Sequence, residues 1–101
     1  MTNKQQKFAL LTKFRKRLRD KGLDDSMNIY AEQWTADALI QSYSLQGCYD
    51  LIEYYFAVSA SPSWKWFAYN ADKVYKAKKD KEEDDRVREL MRKQARDWLN
   101  K

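Results

Sequence analysis

The chain has 101 residues with a net charge of +5, 44% hydrophobic and 35% charged residues, which suits one small domain with a core and some free-standing helix surface. It has no histidine and a single cysteine, Cys48. That removes the commonest general base, the commonest metal ligand and any intrachain disulfide, and it leaves a poor ligand set for zinc.

Residues 1–22 carry eight Lys or Arg against one acid, Asp20. Thr2 and Gln5 have the spacing of a capping box, and Phe8, Leu11, Phe14 and Leu18 follow at helical spacing. Gly22 stands where a left-handed residue would end this basic helix. Residues 23–63 then carry six acids and no Lys or Arg. The periodicity predicts a second helix over residues 28–43 with Tyr30, Trp34, Ala38 and Leu39 inward. Ser44 is placed to cap a third, over residues 45–58, with Cys48, Leu51, Ile52, Tyr55 and Phe56 inward.

Ser61 fits an N-cap, and Pro62 fits the first helical position, where its missing N–H is harmless. Trp64, Phe67, Ala71, Val74 and Tyr75 continue as a buried stripe. Lys76 to Arg86 has Ala77 as its only apolar residue, with opposite charges four apart at Lys78/Glu82, Lys79/Glu83, Lys81/Asp85 and Asp84/Arg88. Such pairs keep a solvated helix continuous without docking it. Val87, Leu90, Met91, Gln94, Ala95 and Trp98 then form a second seam, on one very long helix or beyond a flexible point near residues 79–85. The expectation is an all-α domain of four to five helices. It divides into a basic helix at 1–22, aromatic core helices at 23–77 and a charged C-terminal helix at 78–101.

Three constellations are candidates for function. Lys13, Arg15, Lys16, Arg17, Arg19 and Lys21 surround the first helix outside its apolar stripe. Phosphates attract such a helix without regard to sequence, which makes nucleic acid the expected partner. Lys65 and Lys73 lie near the second group, the aromatics between Tyr54 and Tyr75, where Trp66 and Tyr69 point away from the buried stripe and could stack on bases or grip a protein. Leu90, Met91 and Trp98 form the third, a surface for a protein partner or a second copy. The acids fall on outer helix faces rather than in a pocket, so no enzyme activity, metal or cofactor is expected. No apolar run approaches the ~20 residues of a membrane span and no signal peptide is visible, so no membrane partner and a cytoplasmic location are expected.

The stretch Leu51-Ile52-Glu53-Tyr54-Tyr55-Phe56, followed by Pro62-Ser63-Trp64-Lys65-Trp66-Phe67-Ala68-Tyr69-Asn70, resembles small phage-encoded replication accessory proteins and the C-terminal helical module of DnaD-like primosome proteins. The resemblance covers residues 45–77. It implies binding to DNA and to a replicative helicase or its loader. The composition also matches phage proteins that inhibit a host nucleic-acid-handling enzyme, which gives the alternative expectation of an inhibitor or adaptor.

Overall fold

The computed structural model describes residues 2–99; Met1, Asn100 and Lys101, the ends of the expected 1–101 domain, lie outside the described residues. The described chain is all-helical, with α1 at Asn3–Asp20, α2 at Gln33–Val58 and α3 at Trp64–Leu99. Three helices replace the expected four to five because the expected boundary at Ser44 is a bend within α2 and α3 runs unbroken through residues 79–85.

The N-terminus of α1 forms as its residues predict. Thr2 Oγ1 accepts from the Gln5 N–H at 3.2 Å, and Gln5 Oε1 accepts from the Thr2 N–H at 2.9 Å. At the other end Gly22 sits at φ 72°, and the Leu23 N–H reaches back to the Leu18 carbonyl at 2.9 Å, closing a left-handed C-terminal turn. The connection to α2 is not helical over 28–32 as expected. The Asn28 side chain accepts from the backbone N–H of Tyr30 and of Ala31, at 3.1 and 3.2 Å, and holds a single turn ahead of Gln33. The phase of α2 is therefore set by Ala36 and Leu39, which are buried. Tyr30 and Trp34, expected inward, are 75% and 86% exposed, and Ala38 is also exposed.

Ser44 bends α2 at φ 66°, ψ 166°, a conformation costly for a residue with a Cβ, while its Oγ accepts from the Gly47 N–H at 3.1 Å. The break has a geometric purpose. At 100° per residue, the Ala36/Leu39 face and the Cys48/Leu51/Ile52/Tyr55/Phe56 face would lie roughly 150° apart on an unbroken helix. The bend resets the phase, so that both faces are buried in the same core.

That core centres on Phe14. Its ring lies 4.9 Å from Phe56, 5.2 Å from Trp64, 5.6 Å from Phe67 and 6.3 Å from Tyr55, so one α1 residue meets both other helices. Leu10 and Leu11 are buried beside it, while Phe8, expected in the stripe, lies half-buried with its ring edge-on to Tyr30 at 5.8 Å. Tyr75, expected buried, packs on Tyr43 at 5.3 Å but stays 39% exposed.

The α2–α3 turn corrects the expected boundary. Pro62 is buried in the turn, α3 begins at Trp64, and Ser63 rather than Ser61 stands at the cap, its Oγ 3.5 Å from the Trp66 N–H. Ser63 is drawn there by Tyr55, whose hydroxyl accepts from the Ser63 N–H at 2.9 Å. From Trp64 to Leu99 the helix is continuous, bent at Asn70 and not near residues 79–85. Its 36 residues make a rod of roughly 54 Å. The molecule is correspondingly long, 62 × 30 × 21 Å, with a radius of gyration of 17.5 Å against the roughly 13 Å of a compact chain this size. Every described residue from Lys79 onward is exposed.

Candidate functional site

The basic helix divides into cations that hold the fold and cations that face outward. Arg17 donates from Nε and Nη2 to Glu53 on α2, at 3.0 and 2.5 Å, and Lys13 Nζ reaches the same carboxylate at 3.0 Å. The Arg17 hydrogen bond, with Lys13 second, holds the Glu53 carboxyl below its ordinary value, and Glu53 raises Arg17 in return. Lys13 also lies 5.0 Å over the Tyr49 ring. Arg19 pairs with Asp25 at 2.9 Å. Lys21 Nζ donates to the Phe56 and Ser59 carbonyls, at 2.6 and 3.3 Å, where α2 ends and its carbonyls lack helical partners.

Arg15 and Lys16 remain, joined by Lys4 and Lys7, which the sequence places in the basic block without distinction; none has a carboxylate partner among the described residues. Lys4, Phe8, Thr12 and Lys16 follow one another at four-residue spacing and therefore share one ridge of α1. With Gln5, Ala9, Lys13 and Tyr49 they line a shallow depression of about 660 Å³ on the outer face of α1 and α2. The four-residue spacing was the signal for Lys4. The part of Tyr49 depends on how α2 packs and has no local signal.

Lys65 and Lys73 are not brought to this surface. Lys65 lies beside Asp24, Asn28 and Glu32 of the α1–α2 connection, and Lys73 stands at a different depression. That second depression is a cleft of about 530 Å³ between the end of α2 and α3. Its walls are Tyr54, Tyr55, Val58, Trp66, Val74 and Ala77, with Ser59, Ser61 and Ser63 at the turn. Trp66 stacks nearly parallel on Tyr55, with centroids 5.4 Å apart, yet stays 46% exposed. Tyr69 is 75% exposed, outward as expected. The cleft thus joins aromatic rings, three serine hydroxyls and one lysine, a lining suited to a flat ring or an apolar side chain.

The third surface is the free half of α3. Leu90, Met91 and Trp98 are 60%, 64% and 75% exposed, with Val87 and Leu99 beside them. Trp64 is buried, and its indole Nε1 donates to Glu32 at 3.0 Å, which ties α3 to the start of α2.

The polar chemistry elsewhere is quiet. Burial pushes the Cys48 thiol up to about 12, so it stays protonated. Among the described residues no three His, Cys, Asp or Glu side chains come together as a metal site, and no helix is long and apolar enough to cross a membrane. No protein-family model, no curated protein and no solved structure matches the chain.

Proposed function

We propose that the chain is a non-enzymatic nucleic-acid-associated accessory protein that holds backbone phosphates on α1 and a protein partner on the aromatic surface of α2 and α3. The observation that carries the reading is the ridge of α1. Lys4 and Lys16 are exposed, aligned and without carboxylates, and Thr12 between them adds a hydroxyl. Arg15 stands next to Lys16. These side chains fit a phosphate run better than the whole basic block does, because Lys13, Arg17, Arg19 and Lys21 already have partners within the fold. Phe8 and Tyr49 in the same depression offer ring surface to an unpaired base.

The test is a mobility shift with single- and double-stranded DNA across a salt series. Replacing Lys4, Arg15 and Lys16 with Gln should weaken binding and flatten the salt dependence by roughly 0.7–0.9 per phosphate contact removed. Unchanged affinity of the triple variant at low salt would remove the ridge from the reading. A second reading, an adaptor or inhibitor that grips a nucleic-acid-handling protein, is favoured by the α2–α3 cleft. Trp66→Ala should then abolish binding to that protein while DNA binding stays as it was.

A further inference from the structure

Two depressions of the molecule are walled by rings, and their charges differ. The α2–α3 cleft has the more aromatic walls but a single lysine, Lys73, so a strand laid there would leave most of its phosphates unmatched. The depression on α1 and α2 has three lysines, Lys4, Lys13 and Lys16, the rings of Phe8 and Tyr49, and no acid in its lining. Lys13 is held in place by Glu53 at 3.0 Å and lies 5.0 Å over the Tyr49 ring. Lys4 and Lys16 stay free, and on a helix their positions are roughly 18 Å apart. Phe8 and Thr12 stand between them, so that along the ridge the order is cation, ring, hydroxyl, cation, about one turn apart. Tyr30, 75% exposed, meets Phe8 edge-on at 5.8 Å and extends the ring surface beyond the depression.

This order separates single strands from duplexes. Lysines alone attract both, because both carry phosphates. In a duplex each base is covered above and below by its neighbours, and its faces open only when it is pulled from the stack at a cost. A duplex resting on the ridge would therefore reach Lys4 and Lys16 and leave Phe8 without a ring to meet. An unpaired strand can lay a base on Phe8 while the phosphates to either side of it meet the two lysines. Every base has a face that can stack, so such a site tolerates any sequence.

We infer that the α1 ridge is a single-strand site, which takes an unpaired base on Phe8, beside Tyr30, and the flanking phosphates on Lys4 and Lys16; this rests on the phosphate-binding reading of α1. The test is fluorescence anisotropy of the full chain with three labelled probes across a salt series. The probes are a short oligothymidylate, the same backbone with abasic sites throughout, and the oligothymidylate paired with oligodeoxyadenylate. The oligothymidylate should bind about tenfold tighter than either of the others, the increment of one stacked base. Phe8→Leu keeps an apolar side chain and removes the ring. It should bring the oligothymidylate down to the abasic level and leave abasic binding and the salt slope unchanged. Tyr30→Ser, at an exposed position, should give part of the same loss, and the melting of both variants is measured beside the affinity. Lys4→Gln with Lys16→Gln should weaken all three probes and flatten the slope. Equal affinity for the oligothymidylate and its abasic backbone overturns the single-strand site and leaves the phosphate reading standing. So does a duplex bound as tightly as the single strand, or wild-type binding of the oligothymidylate by Phe8→Leu. No binding of any probe at low salt overturns both.

Discussion

Tyr55 and Ser63 hold each other at both polar ends. The Tyr55 hydroxyl accepts from the Ser63 N–H at 2.9 Å and donates to the Ser63 carbonyl at 3.4 Å, so one side chain on α2 fixes the residue that starts α3. The Tyr55 ring meanwhile stacks between Trp66 and the Phe14 cluster. Tyr55→Phe keeps those rings and removes only the hydroxyl. It should lower stability by about 1–2 kcal/mol, chiefly by leaving the Ser63 N–H without its partner. Urea melts would show this, and a neutral result would mean that water replaces the hydroxyl.

The cap at α3 gives a ranking. Ser63→Ala should cost about 0.5–1 kcal/mol, and Ser61→Ala should cost less, because Ser61 lies two residues ahead of the cap. Thermal melts that ranked the pair in reverse would move the helix start to Pro62.

At Ser44 a strained backbone and a helix cap sit on one residue. Glycine relieves the strain and loses little as a cap, while alanine keeps the strain and loses the cap. The expected order of stability is Ser44→Gly at or above wild type, then wild type, then Ser44→Ala about 1 kcal/mol below. Alanine at or above wild type would show that the positive φ is not maintained in solution.

The Glu53 pair predicts a pH signature. The folded carboxyl lies below the ordinary value of 4.5, so its contribution is present above that value and fades as pH falls through the lowered one. Glu53→Gln should therefore cost about 0.5–1 kcal/mol at neutral pH, the range of a partly exposed pair, and the gap to wild type should close in acid. A gap independent of pH would point to packing as the cause.

Lys21 separates fold from binding on α1. Because it caps the α2 carbonyls, Lys21→Gln should lower stability by about 1 kcal/mol and leave DNA affinity near wild type. Lys16→Gln should do the opposite. Equal effects of the two on DNA binding would argue for a diffuse basic surface.

Much of the fold was legible because its determinants are local. The Thr2/Gln5 capping box, Gly22, Ser44 as a cap and the inward set from Cys48 to Phe56 each follow from a few neighbouring residues. The errors came where a side chain competed with the pattern. Asn28 took the N–H groups that a helix at 28–32 would have needed, and with that turn lost the predicted phase of Tyr30 and Trp34 was wrong. Tyr55 likewise fixed the α3 start at Trp64 rather than Pro62. The division of α1 into engaged and free cations could not be read from the sequence. Arg17 meets Glu53 across 36 residues and Lys21 meets Phe56 across 35, and only the packing of α1 on α2 decides it.

The solvated stretch of α3 carries its information in length rather than in identity. Its side chains touch little beyond their own helix, so substitutions there are tolerated as long as the helix continues. One residue inserted or deleted, however, turns everything after it by roughly 100° and moves it about 1.5 Å along the axis. Between the docked face at Val74 and the exposed face at Val87, this stretch is therefore a calibrated spacer. Point changes should drift freely in it, and a single-residue indel should misdirect Trp98 as surely as its removal.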